Sequence, residues 1–229
     1  LILCGGHGLR MRGNFSSVPK PLIEVRGRPL LAYIVDAYVA SGVREVVLLV
    51  GQGEKAFHDF SIQQAHEHVQ IHVLQTGFDT PTGARIKMAA PFLAGEENFF
   101  VTYGDGVSNV NLGELATSHR ASGWRVTLTA VRPQLPFGLL ELGVNNGVSL
   151  FSEKPLMEKY GNGGFFVFRS DVMQVLEETS DLEQHVLPLL ARNGELGAWR
   201  HEGFWRSMDT YKDFVALDAL DLAVEMGLA

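Results

Sequence analysis

The sequence predicts an α/β fold: a mixed, mostly parallel central sheet with helices on both faces. Apolar strand-like runs alternate with segments of helical period through the first half of the chain. Two of those runs, REVVLLV and NFFVTYGD, are apolar at consecutive positions, as strands buried between two layers of helices are. From Arg125 onward strand follows strand, so the sheet is expected to be antiparallel or mixed in that half.

Residues 1–4 are the first strand, and because the chain opens inside it, an initiator methionine and a few residues are expected upstream. Residues 30–41 form the first helix. Pro29 suits its start and Gly42 its end, and Leu30, Leu31, Ile34, Val35 and Tyr38 make its inward face. A strand over 45–50, a helix over 84–93 and a strand over 99–103 follow. RVTLTAV, GLLEL, GVSLF and GGFFVF then read as strands separated by short turn-rich pieces. Helices return over 171–178, 181–192 and 210–223, with Gly194 a natural stop after the second. No repeat, low-complexity tract or linker interrupts the chain, so residues 1–229 are expected to form a single domain.

A length of 229 residues, 46% hydrophobic and 20% charged, is ordinary for one globular domain with a sizeable core. The formal net charge of -7 leaves no basic surface for a phosphate backbone, which argues against a nucleic acid partner. An anionic ligand would need a local cluster of cations. No apolar run approaches the roughly 20 residues that cross a bilayer, and no signal peptide precedes the first strand. The expectation is a cytoplasmic protein without a membrane partner. Cys4 is the single cysteine and falls in an apolar strand, which excludes an internal disulfide and suggests a buried structural thiol.

The segment LCGGHGLRMRGNFSSVPKP runs the first strand into a glycine-rich turn and then supplies Arg10 and Lys20. Gly5, Gly6 and Gly8 remove side chains where backbone N–H groups must approach an anion, and two cations of different geometry follow. That combination reads as a polyphosphate site; glycines alone would read as a plain turn. Two commoner phosphate motifs fail on the same letters. A GxGxxG fingerprint starting at Gly6 meets Met11 at its last glycine, and a Walker A loop from Gly8 meets Asn14 and Phe15 where Lys and Ser/Thr belong.

Asp105, in TYGDGV, lies at the C-terminal end of an apolar strand, the edge at which ligands collect in open α/β sheets, and glycines on both sides leave room for one. It is read as a Mg²⁺ ligand, since that ion takes one or two carboxylates plus phosphate oxygens; capping the helix near Leu112 or closing a turn is the alternative. Asp209, in FWRSMDT, reads by itself as the cap of the last helix, or as the residue before a cap at Thr210. Spacing alone does not bring it opposite Asp105.

The ordered set GGxGxR, PKP, TGxR, TYGDGV, FG, EKP, NGGFFV and GFWxxMDT resembles the bacterial glucose-1-phosphate cytidylyltransferases of the nucleotide-sugar nucleotidyltransferase superfamily, over nearly the whole chain. The resemblance implies a Rossmann-like nucleotide-diphospho-sugar transferase fold, with residues 1–123 mainly a nucleotide-binding half and 124–229 mainly a sugar-phosphate-binding half. It implies transfer of CMP from CTP to a sugar 1-phosphate, with Mg²⁺ as cofactor, in deoxysugar or surface-polysaccharide synthesis. Backbone groups of Leu3, Cys4, Gly5, Gly6, His7, Gly8 and Leu9 would hold cytosine and ribose, with the glycine turn and Arg10 on the triphosphate. Lys20 would sit at the α-phosphate, Thr80 and Arg85 on the nucleotide, and Gly104 and Asp105 on ribose and metal, making Arg10, Lys20 and Asp105 the catalytic set. Asp209 would be the second metal carboxylate. Gly138, Glu153, Lys154 and Asn162 would bind the sugar hydroxyls and phosphate.

Residue by residue, plainer readings stay open on the sugar side: Lys154 as a turn lysine, Glu153 as its ion-pair partner, Asn162 as a left-handed turn residue. Phe204 and Trp205 read as core aromatics that wall the sugar pocket. The base follows from TGAR, because relatives that use dTTP or UTP usually carry Gly-Leu-Ala there. UTP, GTP or dTTP, another sugar or polyol phosphate, and a non-catalytic nucleotide-sugar-binding regulator are the alternatives. Leu9 replaces a Thr of the superfamily, Val18 the first Lys of KPKP, and Ala84 a glycine. The stretch 57–75 is shorter than its counterpart and the C-terminus is clipped, which bears on base choice and on a possible homo-oligomer. His58, His66, His68 and His72 in that stretch are read as a polar surface segment, since no cysteine or well-spaced carboxylate completes a metal site.

Overall fold

The computed structural model describes residues 1–6, 18–64 and 69–228. Along them run β1 (Ile2–Cys4), a 3-10 turn (Lys20–Leu22), the short ribbon β2 (Glu24–Val25) and β3 (Arg28–Pro29), α1 (Leu30–Ala40), β4 (Glu45–Val50), α2 (Glu54–Gln63), β5 (Gln70–Gln75), α3 (Thr82–Met88), β6 (Asn98–Tyr103), β7 (Gly106–Ser108) and α4 (Leu112–Ser122). The second half contributes β8 (Val126–Val131), β9 (Leu139–Leu142), β10 (Val148–Ser152), β11 (Gly161–Arg169), a π-helical turn (Leu182–Val186) leading into α5 (Leu187–Arg192), β12 (Leu196–Arg200), β13 (Trp205–Ser207), α6 (Tyr211–Asp218) and α7 (Leu222–Glu225).

One seven-stranded sheet, in the order β12-β8-β11-β6-β1-β4-β5, takes strands from both halves of the chain. β11 is antiparallel to β8 and β6, while the neighbouring pairs on either side of it are parallel. The sheet is therefore mixed and mostly parallel, as the sequence predicts. Both of its faces are buried. Leu48 and Val50 of β4 pack in one apolar cluster with α1, α2, α4, α6 and α7, whereas Val47 and Leu49 of the same strand pack in a second with α3, the π-helical turn and α5. Alternate residues of one strand thus enter two cores, which is why its apolar run is unbroken.

The first helix behaves as its sequence demands. Leu30, Leu31, Ile34, Val35 and Tyr38 are all buried, and Ser41 ends the helix one residue before Gly42, whose φ is +89°. Elsewhere the structure revises the reading. The stretch 57–75 is more than a polar surface: Phe57 and Phe60 anchor α2 in the core and β5 forms the edge of the sheet. Its histidines and glutamines hid both elements, because an edge strand buries only part of its surface. The helix expected over 171–178 is a 3-10 turn, Ser170–Gln174, and the one over 210–223 is two, α6 and α7. Neither β12 nor β13 had a period of its own to announce it. Among the described residues no helix is long and apolar enough to cross a membrane.

Candidate active site

Parallel strands end on one edge of the sheet, and there the chain opens a cleft of about 610 Å³. β1 delivers Gly5 and Gly6 to it, β6 delivers Gly104 and Asp105, and the loop after β5 delivers Thr80. At Gly104 the backbone sits tightly among its surroundings: a Cβ there would lie 3.0 Å from Pro21, 3.1 Å from the Cys4 sulfur and 3.2 Å from the Leu3 carbonyl, so these neighbours would have to give by a few tenths of an ångström. The Gly104 N–H donates to that same carbonyl at 3.0 Å, which ties the ends of the two strands together.

Lys20 reaches the cleft from the 3-10 turn. Pro21 and Leu22 bury their side chains beneath it, and Leu22 N–H donates to the Pro19 carbonyl at 2.8 Å, so the turn has an anchored base. The Lys20 Nζ lies 2.7 Å from Asp105 Oδ2 and 2.8 Å from Asp209 Oδ1. Burial works to lower the pKa of this ammonium, and the two carboxylates outweigh it, Asp105 foremost, leaving it above the usual lysine value.

What brings Asp209 across from Asp105 is a two-stranded ribbon. β13 pairs antiparallel with β7 so that Ser207 faces Gly106, and Met208 N–H donates to the Asp105 carbonyl at 2.9 Å. Asp209 is next in the chain. It is not the helix cap: Thr210 caps α6 in a capping box with Asp213, and Asp209 accepts from Ser207 Oγ at 3.0 Å as well as from Lys20. Asp105 is not a cap either, for Asn111 holds that place on α4.

Arg85 enters from α3 and is nearly fully buried. Its guanidinium donates to the Gly5 carbonyl at 3.0 Å, to the Phe78 carbonyl at 3.0 Å and to Thr76 Oγ1. A Cβ on Gly5 would fall 2.1 Å from the guanidinium carbon, so glycine is required for this close approach. The side chain thereby fastens the turn after β1 to the loop after β5. Thr80 is held in that loop by donating Oγ1 to the Thr76 carbonyl.

Of the residues singled out from the sequence, Leu3, Cys4, Gly5, Gly6, Lys20, Thr80, Arg85, Gly104, Asp105 and Asp209 line this one cleft. His7, Gly8, Leu9 and Arg10 lie outside the described residues, as do His66 and His68. Asn162 meets the cleft wall through Tyr103, donating Nδ2 to its hydroxyl at 3.2 Å. Gly138, Glu153 and Lys154 do not line the cleft. Gly138 immediately precedes β9 and the other two follow β10, with Lys154 Nζ 3.3 Å from Glu153 Oε1 in a partly exposed ion pair. Trp205 donates its indole N–H to the Gly163 carbonyl at 2.7 Å and packs, with Phe204, against the larger core cluster.

The sequence reading missed one wall. Tyr103 donates its hydroxyl to Glu183, which also accepts from Thr82 Oγ1 at 2.8 Å, so the π-helical turn closes against the end of β6 and the start of α3. Burial, then the Glu183 carboxylate, pushes the Tyr103 phenol well above its usual pKa, keeping it a donor. Its place beside Gly104 at a strand end was a signal that could have identified Tyr103. No local pattern marks Glu183.

Two carboxylates meeting at one cation suit a divalent ion whose remaining ligands come from phosphate, and among the described residues no cluster of three or more potential ligands competes for it. Cys4 belongs to the core. Burial and then the nearby Asp105 charge push its thiol far up, so it stays protonated at neutral pH. Thiol titration of the folded chain at mildly alkaline pH is expected to find no reactive group, and to find the one cysteine after unfolding in guanidinium.

The sequence model of the family described as nucleotidyl transferase matches residues 1–222. The chain is 37% identical over 243 aligned positions to a probable glucose-1-phosphate cytidylyltransferase of Bacillus subtilis, covering 96% of this chain and 94% of that one. It is 32% identical to the glucose-1-phosphate cytidylyltransferase of Salmonella typhimurium, with the same coverage of both chains, 96% and 94%. Among solved structures, HddC from Yersinia pseudotuberculosis superposes with a TM-score of 0.76 over 95% of this chain and 96% of its own, at 18% identity, which speaks for the fold.

Proposed function

The chain belongs to the nucleotidyl transferase family, among the nucleotide-sugar nucleotidyltransferases, and from that premise we propose that it transfers CMP from CTP to a sugar 1-phosphate, glucose 1-phosphate or a close relative, forming a CDP-sugar and pyrophosphate. The observation that carries this reading is the meeting of Lys20, Asp105 and Asp209, from three distant segments, at the sheet edge that holds Gly5 and Gly6. The cytidylyl assignment draws on the two similar relatives that bear that name. Residues 1–123 would supply the nucleotide side and residues 124–229 the sugar side, apart from Asp209.

Asp105 and Asp209 are the residues that would hold Mg²⁺, which when bound supplies charge neutralisation for the phosphates. Lys20 places a second positive charge where negative charge builds on the α-phosphate, and Arg10 is assigned to the triphosphate from its place in the glycine-rich motif. Gly6 lets the ligand approach the backbone, while Gly5 makes room for the Arg85 guanidinium. The sugar phosphate oxygen is already an anion, so it attacks the α-phosphorus without a general base. The new P–O bond forms as the bond to the bridging oxygen breaks, and pyrophosphate leaves with the electron pair. The barrier is repulsion and misalignment of two anions, and fixed cations in a preformed cleft reduce both.

A grid of CTP, UTP, GTP and dTTP against sugar and polyol phosphates, scored by pyrophosphate release and product mass, tests the proposal. We expect turnover with CTP and a hexose 1-phosphate in the presence of Mg²⁺. Turnover with another base would correct the nucleotide. Binding without turnover across the whole grid would replace the transferase by a nucleotide-sugar-binding regulator.

A further inference from the structure

We propose that His185, on the π-helical turn between β11 and α5, is a specificity-determining residue that donates a hydrogen bond to a hydroxyl of the sugar 1-phosphate; for the identity of that ligand the inference rests on the transferase reading. His185 lines the cleft. Its ring is fixed at one end, where the Asp181 backbone N–H donates to His185 Nδ1 at 3.1 Å. A nitrogen that accepts an N–H carries no proton of its own, so the ring proton sits on Nε2, at the end farther from the backbone. Among the described residues no acceptor takes that Nε2–H, which leaves a positioned donor at the cleft wall.

The platform that holds this donor is anchored on several sides. Leu182 and Val186 of the turn are buried in the core cluster that also takes Ile86 of α3. The Asp181 carbonyl accepts from the His185 N–H at 3.0 Å and the Val186 N–H at 3.2 Å, and the Asp181 carboxylate accepts from the Gln184 N–H at 2.7 Å. From α3, Thr82 Oγ1 accepts from the Leu182 N–H at 2.8 Å, and the Ala84 N–H donates to the Ser180 carbonyl at 2.9 Å. π-helical turns are uncommon and recur at functional sites. A side chain carried on a backbone fixed at so many points loses little freedom when it meets a ligand.

The charges around His185 select a neutral group of the ligand. Asp181 and Glu183 belong to the same stretch of chain, and Asp79 and Asp181 line the same cleft, so a phosphate beside the ring would meet carboxylates. A hydroxyl accepts from Nε2–H and keeps a proton to donate to a carboxylate oxygen, which is what a histidine among aspartates offers. The sugar, rather than the base, is the source of that hydroxyl. Glu183 accepts from the Tyr103 hydroxyl, which in turn accepts from Asn162 Nδ2 at 3.2 Å, so the turn is tied to a residue assigned to the sugar. The turn also lies within residues 124–229, the half that supplies the sugar side in the proposed reaction.

Titration calorimetry of the full chain with glucose 1-phosphate and each of its monodeoxy analogues, alone and with the non-hydrolysable α,β-methylene analogue of CTP, tests this. The wild-type chain should bind glucose 1-phosphate roughly three- to tenfold more tightly than one of the monodeoxy analogues, the difference that a single hydrogen bond makes. His185→Ala should bind that analogue and the parent sugar equally, with its affinity for the CTP analogue unchanged. His185→Gln, whose amide N–H has a similar reach, should recover part of the preference. Because the side chain is exposed, both variants should keep the wild-type Tm, and a lowered Tm with the preference lost in both would mark a structural role and overturn the inference. So would a wild-type chain that binds none of these sugars or does not distinguish them, a His185→Ala chain that keeps every wild-type preference, or a loss of affinity for the CTP analogue in place of the sugar. The expected preferences without pyrophosphate release from CTP would remove the transferase reading and leave His185 at the sugar, so the two failures are told apart.

Discussion

Lys20→Ala is expected to lower kcat by roughly 10²- to 10³-fold with the productive substrate pair, the loss that follows removal of one preorganised charge-stabilising group. KM for the nucleotide should change far less, because the charge matters most where it develops in the transition state. The substitution also removes the cation that Asp105 and Asp209 share at 2.7 and 2.8 Å. Two carboxylates then face each other across the cleft, so added Mg²⁺ should raise the thermal midpoint of the variant more than that of the wild type. The sign of the pH effect is fixed by the raised lysine pKa: the stabilising bridge is complete below the ordinary lysine value and is lost as pH rises through the higher folded one. The Lys20 contribution is therefore intact at neutral pH. A kcat within a few-fold of wild type would remove Lys20 from the mechanism.

Arg85→Ala is expected to cost about 3 kcal/mol of stability without any nucleotide present, since it strips charge-assisted donors from the buried Gly5 and Phe78 carbonyls and from Thr76. For a chain of this size that corresponds to a fall of roughly 6–12 °C in Tm. Burial lowers the Arg85 pKa, yet a guanidinium remains charged, so this is loss of a cationic clamp at all working pH values. Differential scanning calorimetry of the ligand-free variant decides the matter. A Tm unchanged from wild type would mean that the side chain serves only the nucleotide, as the family resemblance alone implies. Arg85→Lys should recover only part of the loss, because one ammonium cannot span three acceptors fixed for a fork.

The largest correction to the sequence reading, in the stretch 57–75, has a physical cause. β5 and α2 were obscured because their polar residues are real surface residues of half-buried elements, so local composition described their outer faces accurately and hid Phe57 and Phe60. Gly138, Glu153 and Lys154 carry a recognisable motif, and the structure sets them on either side of the β9–β10 hairpin, outside the lining of the cleft.

By itself the sequence determined the layered α/β plan, the burial of both faces of β4, the first helix with its caps, and the glycine-rich strand end with a lysine placed between two prolines. All of these depend on period, turn chemistry and residue size over a few neighbouring positions, which a linear reading contains. Only the tertiary structure decided that Asp209 stands opposite Asp105, because that depends on the pairing of β13 with β7 across about a hundred residues. It alone also decided that Arg85 spends its donors on the protein's own carbonyls, and that Glu183 meets Tyr103. Long-range pairing sets those contacts, and no short stretch of chain encodes its own distant partner.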